Sequence, residues 1–169
     1  MGGSPGRPPL PDLTPLLAAI AECASCKTDR NDLGKLVVEA VHQRLPQAGW
    51  TGIYWLEDDV LVLGPFVGPP TEHTRIKVGQ GVCGTAVAEG RDQIVPDVRE
   101  RTNYLACATT TRSEVVVLIR AHGKIVGQID LDSDKVDAFS ADDLSFLKMV
   151  AGALGSLLDA PPATPPARA

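Results

Sequence analysis

Two sets of side chains in this sequence could do chemistry: four cysteines, and three acids carried by one hairpin. The cysteines are Cys23, Cys26, Cys83 and Cys107. A thiolate is a nucleophile and a reductant, and it is favoured where unpaired backbone N–H groups converge. Cys83 stands at such a place, because Gly79-Gln80-Gly81-Val82-Cys83-Gly84 reads as a glycine turn entering a short helix. A small apolar residue between glycines also suits packing, so both readings stay open for it. Cys107 lies in the unpatterned stretch from Asp97 to Arg112, which reads as a long loop, seven residues before Glu114. Cys23-Ala24-Ser25-Cys26 has C-x-x-C spacing but falls within or at the end of an amphipathic helix, with no preceding strand, so core packing is the favoured reading. No second ligand pair stands at the spacing of a zinc site.

The acids are Glu114, Asp130 and Asp132. Ser113 to Ala121 and Ile125 to Asp132 read as the two strands of a hairpin, and the hydrophobic pattern selects its register, since a slip of one residue moves every side chain to the other face. A three-residue loop, His122-Gly123-Lys124, gathers Val115, Val117, Ile119, Ile125, Ile129 and Leu131 on one face. The opposite face then carries Glu114 directly across from Asp132, with Asp130 two residues along the same strand. Sheltered from water, such a group would have at least one carboxyl with a raised pKa, able to deliver a proton. A solvated outer face or an oxygen site for Mg²⁺ or Ca²⁺ are the other readings.

The elements that must position these groups follow from composition and period. The chain has 169 residues, 44% hydrophobic and 22% charged, which fits one domain. Prolines crowd both ends, so residues 1–13 and 160–169 read as flexible tails around a domain spanning 14–159. A net charge of -5 argues against a nucleic-acid partner. The absence of a long apolar run and of a signal-peptide core argues against a membrane and for a cytoplasmic protein. A helix from Thr14, with Leu16, Ile20 and Cys23 at helical spacing, precedes a second after Asn31 or Asp32 with Leu33, Leu36, Val37, Ala40 and Val41 as its stripe. Trp50 to Leu56 and Val60 to Leu63 form a hairpin, and a loop follows Gly64-Pro65-Phe66. After the glycine-fed helix ending at Gly90 come a short strand from Gln93 to Val95, the long loop, the acid-bearing hairpin and a last helix capped by Ser140. Tight turns pair strands antiparallel, so the fold class is α+β, an antiparallel sheet with helices on one face. Leu16, Leu17, Ile20 and the C-terminal leucines could also serve a homodimer interface.

Gly52-Ile53-Tyr54, Leu63-Gly64-Pro65-Phe66, Val78-Gly79-Gln80-Gly81-Val82-Cys83-Gly84-Thr85-Ala86, Ala106-Cys107, Ser113-Glu114 and Ile129-Asp130-Leu131-Asp132-Ser133 together resemble the free methionine-(R)-sulfoxide reductases, single GAF-domain enzymes. The resemblance runs from about Trp50 to the last helix. It implies a GAF-like fold with six antiparallel strands and a ligand pocket on the face away from the helices. It makes Cys107 the thiol that attacks the sulfoxide and Cys83 a second redox thiol. Glu114, Asp130 and Asp132 become pocket acids, with Glu114 the first choice of proton donor, and Trp50 and Tyr54 become aromatic residues around the substrate. It also implies a thioredoxin-type reductant, with no cofactor and no metal. The family's third cysteine, ten positions before Cys83, is His73 here, and the residue after the nucleophile, commonly Asp, is Ala108. Cys83 is then the nearest candidate for the resolving thiol. A non-catalytic GAF module that binds a small molecule or senses redox state is the rival expectation, and a metal-binding regulator using the acids with His73 a third.

Overall fold

In a computed structural model, the described residues are Thr14, Ala18, 29–102 and 110–159. Leu16, Leu17, Ile20, Cys23, Cys26, Tyr104 and Cys107 lie outside them. Within residues 29–102 and 110–159, three α-helices, α1 (Arg30–Arg44), α2 (Gly81–Glu89) and α3 (Ala141–Asp159), accompany six strands. The strands are β1 (Trp50–Glu57), β2 (Val60–Val67), β3 (Arg75–Lys77), β4 (Gln93–Val95), β5 (Ser113–Ala121) and β6 (Lys124–Ser133). They form one sheet in the order β3-β2-β1-β6-β5-β4, every neighbouring pair antiparallel. No helix among the described residues is long and apolar enough to cross a membrane.

Period 2 in the central strands divides the sheet into two faces. Ile53, Trp55, Val115, Val117, Ile119, Ile129 and Leu131 meet Leu33, Val37, Val38 and Val41 of α1 and Phe146, Leu147, Val150 and Leu154 of α3. The two long helices thus share one face, as expected. Val38 completes the buried stripe of α1, and Leu36 and Ala40, which the period assigns to it, are only partly buried. The helix stops at Arg44 because Pro46 drives the preceding residue, Leu45, out of helical conformation (φ −116°, ψ 72°). At the start of α3 Ser140 and Asp143 cap each other: the Asp143 N–H donates to Ser140 Oγ and the Ser140 N–H to Asp143 Oδ2.

The opposite face holds Trp50, Tyr54, Val116 and Leu118, covered by Val82, Cys83 and Ala86 of the short helix α2. Three differences from the expected elements bear on this face. The hairpin tip has two residues, His122 and Gly123, both with positive φ (49° and 71°), the backbone of a tight turn that matches strand twist. Ala121 therefore pairs with Lys124 and Arg120 with Ile125, and Val126 is an extra residue before Ile119 pairs with Gly127. This bulge sends Ile125 to the α2 side, not to the long-helix side, and restores the expected pairing of Glu114 with Asp132. β2 also runs on through Gly64-Pro65-Phe66 to Val67, and β3 is a strand that pattern reading did not find.

Gly155 of α3 lies so close to β5 that a Cβ would come within 2.0 Å of the Arg120 carbonyl oxygen. Backbone on both sides cannot yield locally. Gly155→Ala is expected to lower stability by about 1–3 kcal/mol or more, read as a fall in the urea midpoint at unchanged slope.

Candidate active site

Three neighbouring strands build the acid face. Trp50 pairs with Asp132 and Gly52 with Asp130 across β1 and β6, while Glu114 of β5 pairs with Asp132 from the other side. All three acids are buried. The glycine turn then brings a thiol down onto them. Gly79 and Gly81 adopt positive φ (88° and 64°), which an L side chain resists, and the turn delivers Cys83 as the third residue of α2. Close packing at Gly84, where a Cβ would come within 2.4 Å of the Lys77 oxygen, holds the helix against the turn. The Cys83 thiol donates to Asp130 Oδ2 at 3.3 Å and faces Glu114 Oε1 at 3.7 Å.

Electrostatics follow from this burial. Desolvation, then the nearby charges of Asp130 and Asp132, push the Glu114 carboxyl well above its ordinary range. Desolvation pushes Asp130 up to about 7, against the lowering effect of the Cys83 hydrogen bond. Burial is thus the main cause for Glu114, ahead of the Asp132 neighbour on which the strand pairing alone would rest. Glu114 Oε2 and Asp130 Oδ1 have no hydrogen-bond partner among the described residues.

Because the folded protein binds the Asp130 proton more tightly than the unfolded chain does, the stability this group contributes is present at low pH. It is lost as pH rises from its ordinary 3.8 through about 7. Wild-type melting temperature should therefore fall between about pH 4 and pH 7. Asp130→Asn, which keeps the shape without the ionisation, should flatten that fall and melt several degrees above wild type at the higher pH.

Beside the acids a cleft of about 360 Å³ opens between the end of the β1–β6 strand pair and the loops, lined by Trp50, Asp132, Ser133, Thr110, Thr111 and Lys135 among others. The Trp50 indole lies over Gly52, where a Cβ would come within 2.2 Å of the ring, and stacks on Phe66 with centroids 5.7 Å apart. Phe66 lies beyond the strand end that the sequence pattern gives at Leu63 and is not among the expected site residues; its place as the stacking partner depends on β2 continuing past Pro65. Tyr54 is fully buried under the same face and donates its hydroxyl to the His73 carbonyl at 2.9 Å. It is not among the cleft-lining residues, whereas Trp50 is. Among the described residues, the group whose ligand atoms could share an ion is Cys83, Glu114 and Asp130, without His73. Gln128, between Tyr54 and Leu118 on this face, is completely buried and was not singled out from sequence, where a lone glutamine in a strand carries no signal.

Thr110 and Thr111, the first described residues after Cys107, line the cleft. The described residues on either side of the Cys107 segment are tied together by the Val98 N–H donating to the Arg112 carbonyl at 2.8 Å and by the Arg112–Asp97 ion pair at 2.7 Å. Arg112 is in turn fastened to the end of β6 through the Ser133 carbonyl.

The family model described as GAF domain matches residues 27–159. Protein YtsP of Bacillus subtilis (strain 168) is 41% identical over 120 residues, covering 70% of this chain and 73% of that protein. The free methionine-R-sulfoxide reductase of Escherichia coli (strain K12) is 39% identical over 118 residues, 70% of this chain and 71% of its own length. The X-ray structure of free methionine-R-sulfoxide reductase from Neisseria meningitidis in complex with its substrate superposes with a TM-score of 0.77 at 32% identity, covering 85% of this chain and 86% of that one.

Proposed function

Since the chain belongs to the GAF domain family, with relatives that are free methionine-R-sulfoxide reductases, we propose that it is an oxidoreductase that reduces free methionine-(R)-sulfoxide to methionine. The observation that carries this reading is a buried thiol among carboxyls, Cys83 on Asp130 and Glu114, beside a cleft walled by Trp50 and Asp132. Reduction of a sulfoxide needs a sulfur nucleophile and a proton for the departing oxygen, and a carboxyl kept neutral by burial is a proton donor at neutral pH.

In the mechanism, the Cys107 thiolate attacks the sulfoxide sulfur and Glu114 protonates the oxygen. In the resulting adduct the Cys107 sulfur is bonded to the substrate sulfur; the hydroxyl oxygen then transfers to Cys107, the S–S bond and the substrate S–O bond break, and methionine leaves with Cys107 as a sulfenic acid. Cys83 then condenses with that sulfenic acid, releasing water and forming a disulfide, which a thioredoxin-type dithiol reduces by exchange. Asp130 and Asp132 hold the substrate ammonium, a point charge suited to carboxylates. Trp50 packs on the methylthioethyl chain, and Tyr54 supports that wall from beneath. Support for Cys107 comes from the chain itself: it stands three residues before the cleft residue Thr110, so it is tethered within about 11 Å of that Cα. Cys83, by contrast, already donates its proton to carboxyls.

The experiment is an assay with a dithiol reductant and four substrates: the R and S epimers of methionine sulfoxide, each free and within a peptide. Turnover of the free R epimer alone is expected. Binding of the amino acid without turnover would instead favour a sensing module, and equal turnover of peptide-bound sulfoxide would remove the role given to the ammonium ligands.

A further inference from the structure

The trio of Cys83, Glu114 and Asp130 also has the spacing of a metal site. One ligand atom from each lies within 4.8 Å of the others. Cys83 Sγ is 3.3 Å from Asp130 Oδ2 and 3.7 Å from Glu114 Oε1. A tetrahedral zinc ion bonded to sulfur at about 2.3 Å and to a carboxylate oxygen at about 2.0 Å holds those two atoms about 3.5 Å apart, between the two observed separations. Glu114 and Asp130 are 2% and 0% exposed, and Glu114 Oε2 and Asp130 Oδ1 have no hydrogen-bond partner among the described residues. These are the second oxygens of the two carboxyls that face the thiol, and a cation held between the carboxyls offsets the cost of burying them incompletely hydrogen-bonded. A sulfur ligand with two oxygens selects a borderline-soft ion of low coordination number over Mg²⁺ or Ca²⁺, which take six or more oxygens.

We propose that this trio binds one Zn²⁺ in the reduced protein, through Cys83 Sγ and one oxygen each of Glu114 and Asp130, with a fourth position left for water, and that the bound ion inhibits the enzyme. Binding changes no oxidation state. The thiol proton and those held by the two carboxyls pass to solvent, and the ion offsets the charges left behind. Inhibition rests on the reductase reading, since the ion occupies the proton donor, an ammonium ligand and the second thiol together. Binding does not rest on it.

The test uses the reduced, metal-free full-length protein, titrated with Zn²⁺ by calorimetry and with Co²⁺ as a spectroscopic probe, in wild type, Cys83→Ser, Asp130→Asn and Cys107→Ser. Expected are one ion per chain, a thiolate-to-cobalt charge-transfer band and the intense visible bands of a tetrahedral ion. Cys83→Ser should lose the charge-transfer band. It and Asp130→Asn should each weaken affinity by about 100-fold or more, beyond the loss typical of an outer-shell change. Cys107→Ser should keep both the band and the affinity. Melting curves identify any variant that fails to fold, and Asp130→Asn, which preserves side-chain shape, decides the matter should Cys83→Ser do so. The site is overturned by absence of binding at micromolar zinc, by affinity unchanged in the folded Cys83 and Asp130 variants, or by loss confined to Cys107→Ser. Stoichiometric zinc that leaves methionine sulfoxide turnover unchanged overturns the inhibition alone. A protein with no turnover in the absence of zinc overturns the reductase reading and the inhibition with it, while the cobalt spectrum still decides the site.

Discussion

Cys107→Ser removes turnover of free methionine-(R)-sulfoxide by about 10⁴-fold or more, the scale expected when the attacking atom itself is lost. A serine hydroxyl is a far weaker nucleophile at neutral pH and cannot take up the sulfoxide oxygen to become a sulfenic acid. The fold should be indifferent, since the Cys107 segment is tied at its stems by the Asp97–Arg112 ion pair and the Val98–Arg112 hydrogen bond. Cys83→Ser provides the contrast. It should slow steady-state turnover with a dithiol donor yet leave the first equivalent of methionine intact, because a resolving thiol is needed only after the oxygen has moved. Equal activity of Cys107→Ser and wild type would remove the assigned nucleophile.

Glu114→Gln lowers kcat by about 10²–10⁴-fold with little change in KM, the range for loss of a positioned proton donor. Glutamine keeps the size and the hydrogen-bonding reach toward Cys83, so packing on the acid face survives, but it has no acidic proton. The pH profile adds a readout that a structural role would not move. In wild type kcat should fall at high pH as Glu114 finally ionises, since burial and its neighbours hold it neutral well above the usual carboxyl range. The variant should lack that limb. A full-rate variant with the wild-type profile would move the donor role to Asp130, the other carboxyl against the thiol, whose pKa is itself pushed up to about 7.

The division of the sheet into two faces was legible because Gln128, Asp130 and Asp132 alternate with Ile129 and Leu131 in β6, and only one parity of register keeps Glu114 of β5 off the face of Ile129 and Leu131. That register placed Glu114 opposite Asp132, as observed. The bulge at Val126 was not legible. Ile125 and Val126 are both apolar, so an extra residue between them leaves no mark on a period-2 pattern, and the positive-φ pair at His122-Gly123 decides the turn instead. β3 was missed because three residues, Arg75-Ile76-Lys77, are too short to show alternation. The descent of Cys83 onto the acids is a tertiary event: the glycines of its turn were visible, but not which sheet face the helix would cover. Phe66 was hidden behind Gly64-Pro65, which reads as a break yet sits in an irregular part of the β1–β2 pairing. The aromatic role of Trp50, the identity of the attacking thiol and the substrate came from family resemblance, not from period or spacing.

Everything in the proposed reaction requires that oxygen pass from the substrate to the sulfur of residue 107. The direct measurement is a single-turnover reaction of the reduced Cys83→Ser protein with free methionine-(R)-sulfoxide, without reductant, in a carbon nucleophile that traps sulfenic acids, followed by peptide mass spectrometry. One equivalent of methionine together with an adduct on Cys107 is the predicted result. Methionine absent, or formed with the adduct on Cys23 or Cys26 instead, would contradict the account.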